Sequence, residues 1–294
     1  MPSTPRQVQT ALGPIEVALL GDPSGPPAIM VHGSPGGYDH GILMGRFLAQ
    51  RGFRVLAPSR PGYLGTPLQP GTATADGQAD LFAALCDALD IARAGVLSWS
   101  GGGPAGYRFA VRHPERVSAL VAFAALSARF DWRTSASDQF VFGTLIGSWL
   151  LAAMARAAPR RVVAGALASE GNLARADIAA RTSAIMADRE RRRFMLELVR
   201  AATLRGRRRA GVSNDRRQFA SLDDLGLSQV RTPTLILQGD SDTDVLPKFS
   251  DFAHAQIPGS QLITMTGGTH LCLFVDPGYD VVQQRVATFF ADIV

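Results

Sequence analysis

AGVLSWSGGGPAGYRFAVRH, residues 94–113, decides how the rest of the chain is read. An apolar run ends at a serine, three glycines follow, and a helical pattern begins at Pro104. A strand that turns sharply into a helix around a serine is the setting of a nucleophile elbow, where backbone strain lifts the hydroxyl clear of the sheet. The usual spacing is G-x-S-x-G, because strand and helix meet too closely for bulk two residues on either side of the serine. Gly102 satisfies the second position, whereas Ser98 stands at the first and adds a Cβ and a hydroxyl. Ser100 is the expected nucleophile, and Gly101, Gly102 and Gly103 place the turn after it rather than after Ser98.

Working outward, short apolar runs alternate with helical stretches. PAIMVHG (27–33), RVLAPS (54–59), AGVLSWS (94–100), VSALVAFAAL (117–126), TPTLILQG (232–239) and SQLITMT (260–266) read as strands. Their near-continuous hydrophobicity suits strands buried on both faces. DGQADLFAALCDALDI (76–91) and PAGYRFAVRH (104–113) read as helices, the second stopped by Pro114. From about Ser127 to Gly226 the strand pattern lapses into Ala- and Arg-rich helical sequence. The expectation is an α/β fold: a mostly parallel central sheet covered by helices on both faces. Residues 1–126 and 227–294 form its core, and 127–226 form an inserted helical lid, or cap.

A serine hydroxyl is barely nucleophilic without a base and a group to orient that base. Of the five histidines, His270 in TGGTHLCLF follows the last strand, where a loop drops it over the sheet's C-terminal edge. The orienting acid belongs between Ser100 and His270 at a strand end, and GDSDTD (239–244) offers Asp240, Asp242 and Asp244. The same D-x-D-x-D alternation opens a calcium loop, but Val245 stands where that loop requires glycine. No metal and no cofactor is expected. An acyl-transfer transition state also needs N–H donors for its oxyanion. One is the backbone N–H of Gly101; the other comes from HGSPGG (32–37), where Pro35 has no N–H and Ser34 is the donor.

The 294 residues are 46% hydrophobic and 19% charged, the composition of a folded domain. The N-terminus has no basic start followed by an apolar stretch. The longest uncharged apolar run, FVFGTLIGSWLLAAMA (140–155), falls short of the roughly 20 residues that span a bilayer. It reads as a buried or pocket-facing helix without stable membrane insertion, so Phe140 and Trp149, with Trp99 beside the nucleophile, are expected to line the substrate site. Two cysteines, Cys86 and Cys272, without metal-like spacing point to a reducing, cytoplasmic setting. Residues 127–226 hold 18 arginines and 10 acidic residues, a local charge of +8 within a net +5. RERRR (189–193) and RGRRR (205–209) lack interleaved aromatics and read as solvated helix faces, not as a nucleic-acid surface.

Taken together, the chain resembles the α/β-hydrolase superfamily, specifically its lidded serine esterase and peptidase-like members. HGSPGG is similar to the family's HG-x-P-G oxyanion loop. SRPGYLGT (59–66) resembles its D-R-P-G-x-G-x-S segment, with Ser59 in place of the acid and Leu64 in place of a glycine. SWSGGG (98–103) matches the elbow apart from Ser98, and GGTHLCLFVDP (267–277) resembles the histidine loop with its following D-P. GDSD fits the family's G-x-x-D pattern, so the resemblance selects Asp242 as the triad acid. It implies a hydrolase acting on a small-molecule ester, with an aminopeptidase or amidase, a carbon–carbon bond hydrolase and a non-catalytic ligand receptor as alternatives on the same fold.

Overall fold

The computed structural model describes residues 4–132, 144–201 and 206–292. All six expected strands form, as β3 (Pro27–Val31), β4 (Arg54–Pro58), β5 (Ala94–Trp99), β6 (Val117–Phe123), β7 (Thr234–Gly239) and β8 (Gln261–Met265). Two more precede them: β1 (Arg6–Thr10) and β2 (Gly13–Gly21), an antiparallel hairpin. The eight strands make one sheet in the order β1-β2-β4-β3-β5-β6-β7-β8. Pairings from β4 to β8 are parallel, and β2 joins antiparallel to β4. The hairpin escaped the sequence pattern because β1 is polar and buries only Val8, while β2 opens on Gly13-Pro14 and carries Glu16.

Alternate residues of each strand serve opposite faces, so every helix layer receives its own apolar surface. Leu97, Val121 and Leu235 pack with α1 (Tyr38–Ala49) and α10 (Tyr279–Ala291) through Met44, Leu48, Val286 and Phe290. Val96, Leu120 and Ile236 meet the other layer: α2 (Ala75–Ala88), α3 (Gly103–Arg112) and α9 (Pro247–Gln256), through Phe82, Tyr107 and Ala253. The sheet is thus enclosed on both sides.

Between β6 and β7 the described residues form α4 (Leu145–Ala157), α5 (Pro159–Ser169), α6 (Arg175–Ala187), α7 (Arg189–Ala201) and α8 (Arg209–Ala220). Val163, Leu167, Ile185, Phe194 and Met195 of this insertion join the α1/α10-side core, together with Leu271, Leu273 and Phe274 of the histidine loop. α4 turns its large apolar residues outward: Ile146, Trp149, Leu150 and Met154 are exposed, while Gly147 and Ala155 are buried. In the basic runs, Arg189, Arg192 and Arg193 are exposed as expected, but Arg208 is buried. Its guanidinium is spent on Gly36 O and the Asp39 carboxylate, so it belongs to no solvated face. Among the described residues no helix is long and apolar enough to cross a membrane.

Candidate active site

β5 ends at Trp99, and Ser100 takes φ +55, a left-handed conformation that a non-glycine residue holds only when its surroundings enforce it. A 3-10 turn over Ser100–Gly102 leads directly into α3. Bulk is forbidden there: a Cβ on Gly102 would lie 2.5 Å from Val31 O and 2.7 Å from His32 O. Ser98 is fully buried, and a Cβ on Gly106 of α3 would approach its Cβ to 2.6 Å. The small residue absent from the strand reappears on the facing helix, and that vacancy admits Ser98.

Asp242 follows β7 and His270 follows β8, so the loops after two neighbouring parallel strands carry the two groups. His270 Nδ1 lies 2.8 Å from Asp242 Oδ2. Gln238 Nε2 donates to the same oxygen at 3.1 Å, and the N–H groups of Asp244 and Val245 donate to Oδ1 at 2.8 and 3.0 Å. Asp242 is buried, whereas Asp240 and Asp244 are exposed. Burial pushes the His270 pKa down. The Asp242 charge and hydrogen bond, reinforced by the Asp244 charge, outweigh it and lift the imidazole to about 10. With Nδ1 tied to a carboxylate, Nε2 is the nitrogen left for a reacting proton.

The imidazole is also held by its faces. Trp99 stacks on it with centroids 5.5 Å apart, and Phe123 and Phe274 pack on Trp99. Trp99 therefore braces the histidine from within the core. Trp149, the second residue expected to line the substrate site, is 64% exposed and absent from this ring cluster. Phe140, the third, lies outside the described residues.

The insertion reaches the same place at the end of α5. Glu170 O accepts the His270 N–H at 2.9 Å, Asn172 N donates to Ser241 O at 2.8 Å, and Gly171 bridges Asp242. The half-buried Glu170 carboxyl comes together with Asp244 and His270, their nearest polar atoms all within 4.8 Å of one another. Burial, and then the Asp244 charge, drive the Glu170 pKa well up, so this group keeps a proton where an ordinary glutamate has lost it. Among the described residues this is the one cluster with metal-ligand atoms close together; His270 in it is bound to Asp242, and Glu170 and Asp244 share a hydrogen bond.

HGSPGG lies against the elbow: a Cβ on Gly101 would sit 2.5 Å from Ser34 Oγ and 2.9 Å from Phe219 Cζ. The two expected oxyanion donors are thus neighbours. His32 is buried and far below its ordinary pKa through burial and the nearby Arg60 charge. Its Nε2 accepts from Arg60 N at 2.9 Å, which leaves the proton on Nδ1 to donate to Gly33 O at 2.7 Å.

Three further residues here were not singled out from the sequence: Arg60, Tyr63 and Asp215. Arg60 is 1% exposed and fans out its donors, Nε to His32 O at 2.9 Å, NH1 to Gln78 Oε1 at 3.3 Å and to Asp215 Oδ1 at 3.0 Å. Its NH2 reaches Asp215 Oδ2 at 2.6 Å and Ser34 Oγ at 2.9 Å. Asp215 Oδ2 also accepts from Tyr63 Oη at 2.6 Å and from Ser34 Oγ. The available signal was SRPGYLGT, which holds Arg60 and Tyr63 and resembles the family's D-R-P-G-x-G-x-S segment. Its departures also find explanations. Ser59 Oγ donates to Glu16 Oε2 at 2.9 Å, so a carboxylate on β2 replaces the missing acid. Leu64 adopts φ +50, the conformation of the glycine it displaces.

A family model described as "Alpha/beta hydrolase family" matches residues 28–284. The chain is 26% identical over 281 residues to the uncharacterized hydrolase YcgS of Bacillus subtilis (strain 168), covering 90% of this chain and 92% of that protein. An alpha/beta hydrolase fold protein from Nakamurella multipartita superposes with TM-score 0.94 at 46% identity, over 98% of this chain and 99% of that one. A thermophilic esterase from Thermogutta terrifontis (malate bound) shares the fold at TM-score 0.68 and 21% identity, over 99% of both chains. With a match of that extent to the family model, the chain belongs to the alpha/beta hydrolase family.

Proposed function

We propose that the protein is a serine hydrolase that cleaves carboxylic esters of modest size through an acyl-enzyme. In this reading Ser100 Oγ attacks the carbonyl carbon while the deprotonated form of His270 takes its proton at Nε2, so turnover rises with pH, and Asp242 stabilises the resulting imidazolium. The negative charge on the carbonyl oxygen is met by the N–H groups of Gly101 and Ser34. Collapse of the tetrahedral intermediate breaks the ester C–O bond, and the imidazolium returns its proton to the departing alcohol. Water, deprotonated by the same imidazole, then releases the acid and restores Ser100. Residues 127–226 act as the lid over this site.

The observation that carries the reading is the 2.8 Å bond between His270 and Asp242 after neighbouring strands, together with a serine held at φ +55 at the end of β5. A fluorophosphonate probe followed by peptide mass spectrometry tests it. The wild-type protein is expected to label once, at Ser100, and Ser100→Ala to stay unlabelled; an inert wild type sinks the proposal.

A second reading, an aminopeptidase, draws on the Glu170 carboxyl beside His270, placed to meet a substrate amine. The raised Glu170 pKa weakens it, because a protonated carboxyl offers a cation little. Nitrophenyl esters assayed against aminoacyl-nitroanilides separate the two: a preference for the anilides favours the second.

A further inference from the structure

We infer that Asp215, on the inserted helix α8, is a positioning residue for the oxyanion hole, acting through Arg60 and the Ser34 side chain. The inference rests on the serine-hydrolase reading above and adds to it a control point more than a hundred residues from the elbow in sequence. Ser34 is asked for two things at once. Its backbone N–H must point at the reacting oxygen, while its hydroxyl donates to Asp215 Oδ2 and accepts from Arg60 NH2. A hydroxyl has one proton to donate, and Asp215 takes it. The Ser34 side chain is therefore an anchor, and its contribution to the hole is the orientation of its backbone.

The anchor is built to stay put. Arg60 and Asp215 side chains are each 2% exposed, and a fully desolvated, bidentate guanidinium–carboxylate pair fixes both groups in one geometry. Tyr63 and Gln78 satisfy further atoms of the pair. The same arginine holds His32 O and donates its backbone N–H to His32 Nε2, so it grips HGSPGG at His32 as well as at Ser34. α8 itself is seated on the loop that carries Arg60. Gly211 N donates to Gly62 O at 2.9 Å, and a Cβ on Gly211 would meet the Tyr63 ring at 2.3 Å. Phe219, one turn beyond Asp215 on α8, packs where a Cβ on Gly101 would go. One helix of the insertion thus touches both sources of the oxyanion donors.

Ser34→Ala cuts only the hydroxyl link and leaves the Arg60–Asp215 pair whole; Asp215→Asn keeps the shape and removes the charge. Both are measured on the full chain for kcat, KM, melting temperature and affinity for butylboronic acid, whose tetrahedral serine adduct places an oxygen in the hole. Losing an oxyanion donor outright lowers kcat by about 10²–10³-fold, so a misaligned one is expected to lower it about tenfold. Boronate affinity should fall by the same factor in both variants, with KM within about twofold, since ground-state binding does not use the oxyanion. Ser34→Ala with wild-type kcat and boronate affinity overturns the inference, as does any loss that only follows the folded fraction. Fluorophosphonate labelling of the wild type is run alongside. An unlabelled wild type removes the serine-hydrolase reading, whereas a labelled wild type with an unaffected Ser34→Ala removes this inference alone.

Discussion

At the scale of single residues, Ser98 shows how a motif survives a broken letter. The elbow pattern asks for glycine there because strand and helix close on one another, and Gly106 supplies the space from the helix side. Ser98 Oγ is buried and has no hydrogen-bond partner among the described residues, so its hydroxyl is a liability rather than a contact. Gly106→Ala is expected to destabilise the fold by about 1–3 kcal/mol through overpacking against Ser98. Ser98→Gly should restore most of that loss, and chemical denaturation of the two single mutants and the double mutant measures the coupling. Additive effects would show that the two sites do not share the space. Ser100 and His270 were legible as candidates because each follows an apolar run, whereas Asp242 was singled out from Asp240 and Asp244 only by the resemblance to the family's G-x-x-D pattern. The sequence did not carry Arg60, Tyr63 and Asp215. A buried ion pair assembled from segments 155 residues apart leaves no periodic trace, and an aspartate in an Arg-rich helix looks solvated until the fold brings Arg60 to it.

At the scale of elements, the insertion was legible as helix and illegible as a docked body. Helical composition followed from Ala and Arg content; the contacts that seat it are single side chains. Arg181 of α6 is the clearest. Its NH1 lies 3.0 Å from Asp276 Oδ1, and Asp276 is 1% exposed while its other oxygen accepts from Thr269 N and Oγ1 at 2.6 and 2.8 Å. Thr269 directly precedes His270, so this pair pins the insertion to the histidine loop. Arg181→Ala leaves a buried carboxylate without its cation and is expected to cost about 2–4 kcal/mol, at the lower end because Arg181 keeps some solvent contact. A lowered denaturation midpoint checks this, and Asp276→Asn in the Arg181→Ala background should recover part of the loss. A midpoint within error of wild type would mean water already satisfies Asp276.

At the scale of the whole molecule, the order of apolar runs foretold the parallel sheet with helices on both faces. The N-terminal hairpin was lost because β1, at the sheet's edge, buries only Val8, and β2 opens on Gly13-Pro14 and carries Glu16 within its buried stretch. Stability against pH is a property of this assembled interior. His32 and His40 are both buried and neutral, with burial the main cause and His40 held at about 4 against an ordinary 6.5. A folded pKa below the unfolded one means that the unfolded chain takes up protons first, so stability is full above 6.5 and declines as pH falls towards 4. For His40 the difference amounts to on the order of 3 kcal/mol. His270 works in the opposite sense: raised to about 10, it stabilises below 6.5, and that contribution fades as pH climbs to 10. Glu170, which holds its proton longer in the folded chain, likewise weakens the fold as it ionises. Urea midpoints should therefore fall on both sides of a maximum near neutrality. His40→Asn should flatten the acid side, and an unchanged slope in that variant would remove His40 from the account.

The Arg60–Asp215 pair has a bearing on engineering that its chemistry alone does not reveal. Insertions of this kind invite transplantation, as if one hydrolase could be given another's cover and with it another's substrate range. Here α8 is not portable. Removing it strips the buried Arg60 guanidinium of its counter-ion and the Ser34 hydroxyl of its acceptor, so the remaining core loses a support of HGSPGG. A graft into this scaffold would have to cut between α7 and α8, keeping the last helix with the sheet.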